Sequence, residues 1–194
     1  MKTLVAALLS LFAVVVVLAG CKGSRKGYES APYQVVLRDG KFELRDYPNL
    51  TVVETPMHND SGASFQRLFR YISGQNKASQ KIAMTTPVFM AGNASTRSMS
   101  FVMPADMESA PPASDPSVKT ATLPAGRFAV FGFSGSRNDQ AEKGSLEQLR
   151  AWLKSRNIEA NGDPIYGYFD PPWTPSFMRR NEVMLRVDAQ ASNK

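Results

Sequence analysis

Cysteine and histidine each occur once in this chain, as Cys21 and His58. A lone cysteine has no disulfide partner within the chain, and a lone histidine provides neither a catalytic triad nor a metal-ligand cluster. Phosphate-cradling glycine loops are also missing, because the 13 glycines are scattered among turns. Disulfide scaffolds, metal-dependent enzymes and nucleotide-binding folds are therefore poor descriptions of the chain. What is present is 194 residues, 43% of them hydrophobic, enough for one well-buried domain.

The first twenty residues differ from the rest. A short basic start at Met1-Lys2-Thr3 leads into an almost wholly apolar run over residues 4–19, and Leu18-Ala19-Gly20 are followed at once by Cys21. That order is the order of an export signal. Leu-Ala-Gly-Cys resembles the bacterial lipobox, which implies cleavage before Cys21, acylation of its thiol, and an envelope protein held on a membrane. The alternative is an uncleaved anchor, for which the apolar run is short against the roughly 20 residues a span needs. Residues 1–20 are thus expected to be a lipoprotein signal peptide and residues 21–31 a polar, glycine-containing tether. Lys22, Arg25 and Lys26 in that tether suit anionic lipid headgroups better than nucleic acid. Lys22 directly after the cysteine resembles the outer-membrane default of enteric lipoproteins.

From Tyr33 onward the pattern is short alternating segments. Residues 33–37 and 42–47 flank an Asp39-Gly40 hairpin signal, and residues 50–55 are β-branched enough for a further strand. Asp60 or Ser61 can cap a helix with Phe65, Leu68, Phe69 and Ile72 on one face, stopping near Gly74. Lys81-Ile82-Ala83-Met84-Thr85-Thr86-Pro87-Val88-Phe89-Met90 is expected to form a strand broken at Pro87, which cannot donate a ladder hydrogen bond. After a strand at 98–103 and a proline-bearing loop, the pattern starts again near Val118. Strands at 118–123 and 127–133 precede a helix opened by Asn138 or Asp139, with Leu146, Leu149, Trp152 and Leu153 on one face. Strands at 165–169 and 183–187 follow. The repetition predicts an α+β domain built by duplication, with Ile82 matching Ile165, Pro87 matching Pro171, and a cleft between the halves.

Three segments carry a resemblance. Tyr71-Ile72-Ser73-Gly74-Gln75-Asn76 followed by the stretch from Lys81 to Val88, then Gly167-Tyr168-Phe169-Asp170-Pro171-Pro172-Trp173, then Arg179-Arg180-Asn181-Glu182-Val183, are similar to the signatures of the SOUL haem-binding proteins. The opening from Tyr33 through Arg45-Asp46-Tyr47 also fits. The resemblance implies a SOUL-like domain over residues 32–190, with a distorted eight-stranded antiparallel barrel-like sheet, two flanking helices and pseudo-two-fold symmetry. It further implies binding of haem or another tetrapyrrole in an apolar cleft, as carrier, buffer or scavenger.

The cleft positions that the resemblance carries over fall near Phe65, Phe69 and Arg70 on the first helix and near Trp173 and Thr174 in the last loop; Met84 on the broken strand and Arg179 are further candidates by their own chemistry, a thioether and a guanidinium. Each has a plainer reading, core packing for Phe65, Phe69 and Met84 and a core plug for Trp173. Arg179 or Arg180 could pair with a propionate in place of the basic residue that Thr174 replaces. Asp46 stands where a haem-ligating member carries histidine, and His58, in Met57-His58-Asn59-Asp60, suits a solvated loop better than an iron ligand. Glu182 is expected to pair with one of the adjacent arginines and hold the last strand in register. Tyr166 and Tyr168 share a face, and Gly167 between them signals a close approach to the backbone. Two other readings remain: a module for a different apolar molecule or lipid, and a small-molecule hydrolase using Glu182, Tyr166 and Tyr168.

Overall fold

The structure is a computed structural model, and it describes residues 27–57, 60–93 and 96–188. Cys21, His58 and the expected signal peptide lie outside the described residues.

Alternating burial shapes the strands. In β9 (Gly126–Phe133), Phe128 and Val130 face one side while Ala129 and Phe131 face the other, and all four are buried. The same holds for Val183, Met184 and Leu185 in β11 (Asn181–Val187). The remaining strands are β1 (Glu29–Ser30), β2 (Gln34–Asp39), β3 (Phe42–Tyr47), β4 (Leu50–Pro56), β5 (Thr85–Thr86), β6 (Val88–Ala91), β7 (Ser98–Val102), β8 (Lys119–Leu123) and β10 (Ala160–Tyr168). Two helices, α1 (Ser61–Ile72) and α2 (Asp139–Ser155), complete the fold.

Nine strands form one antiparallel sheet in the order β2-β3-β9-β11-β10-β6-β7-β4-β8, and β1 pairs with β5 in a separate parallel ribbon. The sheet does not close, since β2 and β8 are its edges. The count is nine where eight were expected, because the Asp39-Gly40 hairpin adds β2 outside β3. Without β2, the order is symmetric about the central β6-β10 pair. The unit β3-β4-α1-β6-β7 matches β8-β9-α2-β10-β11, with first strands exchanged: β3 pairs with β9 of the second unit and β8 with β4 of the first. The duplication is therefore present, but Pro87 precedes β6 whereas Pro171 follows the end of β10. The two prolines share one end of the central pair without being equivalent positions.

Two cores result. Leu68, Tyr71 and Ile72 of α1 and Leu149, Trp152 and Leu153 of α2 pack on Val53, Phe101, Phe131 and Leu185 from one face of the sheet. Tyr47, Leu50, Val52, Phe89, Phe128, Val130 and Met184 from the opposite face form the second. Asp60 and Asn138 cap the helices by accepting backbone N–H bonds, as their types favour. The expected α1 stripe is rotated. Ser64, Leu68, Tyr71 and Ile72 are the buried set, held by the Ser64 hydroxyl donating to Pro56 O (3.1 Å) and the Tyr71 hydroxyl donating to Pro111 O (2.6 Å). The strand expected from Lys81 is broken at Pro87 as its sequence predicts, but it is shorter, with only β5 and β6 on either side of the proline. Ile82 is instead tied to the end of α1 through its N–H to Ile72 O (2.8 Å). Among the described residues, no helix is long and apolar enough to cross a membrane.

Candidate functional site

Rotation of the buried stripe leaves Phe65 and Phe69 at the margin of α1. Their rings stack at 6.0 Å with planes 13° apart, and Phe65 also meets Phe101 edge-on at 5.2 Å. Phe65 is half-buried against the helix-side core, whereas Phe69 is 45% exposed. The result is an aromatic face anchored from below and open above.

Arg67 and exposed Arg70, with Tyr71, Gln75, Ser114 and Asp115, line a cavity of about 290 Å³ between α1 and the proline-bearing loop. Arg67 is fixed, its Nε donating to Thr55 Oγ1 (3.0 Å) and its Nη2 to Pro56 O (3.0 Å) and Ser64 Oγ (3.1 Å). Hydrogen bonds from Ser117, and beyond them the charges of Arg67 and Arg70, hold the Asp115 carboxyl below the usual carboxylate range. Neither Phe65 nor Phe69 lines this cavity, which holds two guanidinium groups and one carboxylate and lies on the Arg67 side of α1, about 200° round the helix from Phe65.

The other candidates lie elsewhere. Met84 is half-buried against the helix-side core. Trp173 is 82% exposed in the loop between β10 and β11. Arg179 spends its Nε on Thr174 O (2.8 Å) and its Nη2 on Pro172 O, so it holds that loop together. Asp46 is clamped by Arg127 through two bonds of 2.7 and 2.8 Å, which keep its carboxyl low and leave it a poor substitute for a ligating histidine.

Glu182 is buried on the face away from the helices. Arg45 donates to it twice, at 2.7 and 3.0 Å, and Arg180 twice, at 3.0 and 2.6 Å. Burial alone would raise its pKa, but the two guanidinium groups win and hold the carboxyl below its ordinary value. The expected arginine partner is present as Arg180, and Arg45 is the one that was missed. Arg45 alternates with Glu43 and Tyr47 on one face of β3 and its Nε donates to Glu43 at 2.6 Å, so its local pattern points to Glu43 and not to Glu182.

Tyr166 and Tyr168 point to the opposite face of the sheet from Glu182. Their hydroxyls donate to Glu142 of α2, Tyr166 to the backbone O at 3.3 Å and Tyr168 to Oε1 at 2.5 Å, while Arg97 pairs with the same carboxylate. Burial, then Glu142, pushes the Tyr168 phenol well above its ordinary pKa, so it acts as a neutral donor. The three groups of the hydrolase reading therefore do not converge on one reacting atom. The close approach at Gly167 is Pro87: a Cβ placed on Gly167 would lie 3.3 Å from the Pro87 Cβ.

The fold is similar to that of several solved structures. The C-terminal domain of EcmrR is 14% identical over 80% of this chain and 98% of its own, with a TM-score of 0.56. A hydrolase encoded by lin2189 from Listeria innocua is 10% identical over 79% of this chain and 94% of its own, also at 0.56. At such identities the likeness concerns fold alone. None of the curated proteins matches the chain in sequence. The family model described as SOUL heme-binding protein matches residues 28–186, which take in every strand but the last residue of β11, both helices and the Phe69–Arg70 face. The chain therefore belongs to the SOUL haem-binding family, a family of binding proteins rather than enzymes.

Proposed function

We propose that this protein binds haem or a related tetrapyrrole on the α1 face, as a lipid-anchored carrier, buffer or scavenger in the cell envelope. The observation that carries the reading is the half-open Phe65–Phe69 stack on α1, within a chain of the SOUL family. Phe69 offers a ring face to the macrocycle, and covering an aromatic side chain of this kind contributes about 2 kcal/mol. Exposed Arg70, the next residue along α1 after Phe69, takes a propionate.

The donor set fits the macrocycle better than its iron. No histidine occurs among the described residues, and Met90, Met99, Met103 and Met184 are buried in the cores. The chain's contribution is thus to hold the ring by stacking and ion pairing, leaving the metal's chemistry to the cofactor. Anchoring follows from the lipobox resemblance at Cys21, with the outer membrane favoured by Lys22, and it keeps a hydrophobic ligand near the envelope.

Hemin titration of the chain from Lys22 onward, followed at the Soret band, tests the proposal. Saturation at micromolar protein is expected. Phe69→Ala and Arg70→Glu should each weaken binding by about tenfold, with Trp173→Ala close to wild type. No saturable shift, or equal loss from Trp173→Ala, overturns the α1 site.

A further inference from the structure

Six large apolar side chains among the described residues stand well out in solvent: Tyr28, Val36, Phe69, Trp173, Phe177 and Met178. Phe69 belongs to the α1 face, and Val36 sits at the irregularity in edge strand β2. Three of the other four fall within residues 171–178, where Phe177 is 77% and Met178 55% exposed. The eight residues Pro171-Pro172-Trp173-Thr174-Pro175-Ser176-Phe177-Met178 contain no charge.

This tip is built, not slack. Thr174 N–H donates to Pro171 O (3.0 Å) and Met178 N–H to Pro175 O (2.9 Å), closing two successive turns. Arg179 ties Thr174 and Pro172 from behind. Gly135 N–H donates to Ser176 O (3.0 Å), and the Asn181 side chain donates to Gly135 O (3.0 Å), fastening the tip to the end of β9. Three prolines and this bonding hold Trp173 and Phe177 outward at a cost in hydration that folding does not recover.

The tip also shares an end of the molecule with the entering chain. Tyr168 of β10 pairs with Val88, and Gly167 lies against Pro87. Immediately before Pro87, Thr86 pairs with Ser30, and Ala31 N–H donates to Thr86 O (2.8 Å). The Arg180 guanidinium reaches the Tyr33 hydroxyl at 3.4 Å. The described chain thus begins, at Gly27 and Tyr28, on the same end of the molecule as the uncharged tip, and Lys22, Arg25 and Lys26 precede it in sequence. Those tether cations have no acidic residue among them.

We propose that residues 171–178 form a wedge that seats this end of the protein in an anionic bilayer, with Trp173, Phe177 and Met178 entering the headgroup region. The placement rests on the anchored reading above, but the chemistry does not. An uncharged, aromatic, convex tip matches the water-lipid boundary, where tryptophan is favoured, and the tether cations match anionic headgroups. A seated tip would fix the orientation that a lipid anchor alone leaves free.

The test uses the chain from Lys22 onward, without an acyl anchor, and vesicles of phosphatidylglycerol and phosphatidylethanolamine. Flotation should show binding that falls at least about tenfold in Trp173→Ala/Phe177→Ser, the loss expected from one or more aromatic groups leaving the interface. Trp152 is buried, so the difference spectrum against Trp173→Phe isolates Trp173 emission. That emission should shift to the blue and be quenched by brominated lipid. Hemin affinity of the double variant should stay at the wild-type value, separating this wedge from the α1 site. Absence of vesicle binding, equal binding by the double variant, or Trp173 emission that responds to hemin and not to brominated lipid overturns the proposal.

Discussion

Glu182 shows how far one residue can be understood from its neighbours in sequence. Its arginine pairing could be anticipated from Arg179 and Arg180, but Arg45 lies 137 positions away, and no local pattern names a partner at that distance. Arg45 and Arg180 further stack on Tyr33 and Phe169, at 4.2 and 4.0 Å, so the cluster is fixed by rings as well as by charge. Removing the charge of Glu182 strands two buried or half-buried guanidinium groups. Glu182→Gln should therefore lower unfolding free energy by about 3–5 kcal/mol in urea titrations at pH 7. The pH dependence follows from the depressed pKa. A carboxyl held below its unfolded value of 4.5 contributes stability that is complete above that value and is lost as pH falls through the folded value. Wild-type stability should fall below about pH 4.5 with a steeper slope than that of Glu182→Gln. Equal slopes would show that Glu182 does not carry the acid sensitivity. Asp46 beside Arg127, lowered in the same direction, accounts for part of what remains.

At the scale of elements, the ends were more legible than the faces. Asp60 and Asn138 as caps, Gly74 after α1 and the Asp39-Gly40 hairpin all act through local backbone chemistry, which the sequence displays directly. The buried face of α1 was misread because Tyr71, polar by its hydroxyl, turns inward to reach Pro111 O, in a loop forty residues on. That rotation is what leaves Phe69 open for a ligand, so the misreading and the candidate site share one cause. Gly167 was legible as a close approach, yet Pro87 as the approaching group was not, since only the β6-β10 register brings them together. With a Cβ only 3.3 Å from the Pro87 ring, Gly167→Ala should destabilise by about 1 kcal/mol and Gly167→Val by about 2–3 kcal/mol. Urea midpoints falling in the order glycine, alanine, valine would bear this out, whereas an unchanged valine variant would mean that β6 and β10 have room to separate.

The duplicated pattern suggests two modules, but the sheet joins them into one folding unit at the scale of the whole molecule. Each unit gives its first strand to the other: β3 lies on β9, and β8 lies on β4. The central β6-β10 pair and the helix-side core shared by α1 and α2 add two more dependencies. The strand exchange was invisible in sequence because alternation marks a strand without naming its partner. It has a testable consequence. A fragment of residues 27–117 would hold β3 without β9 and expose the β8-facing edge of β4. The complementary fragment, 118–188, would hold β8 without β4 and expose β9. Neither can cover its helix face or satisfy those edges, so each alone should lack near-ultraviolet circular dichroism, and an equimolar mixture should recover it. The intact chain should correspondingly unfold in one calorimetric transition, with calorimetric and van't Hoff enthalpies in agreement. Two resolved transitions, or a fragment that folds by itself, would mean that the exchanged strands ornament two independent halves; a single transition means that the α1 face and the tip at residues 171–178 are carried by one rigid frame and are lost together.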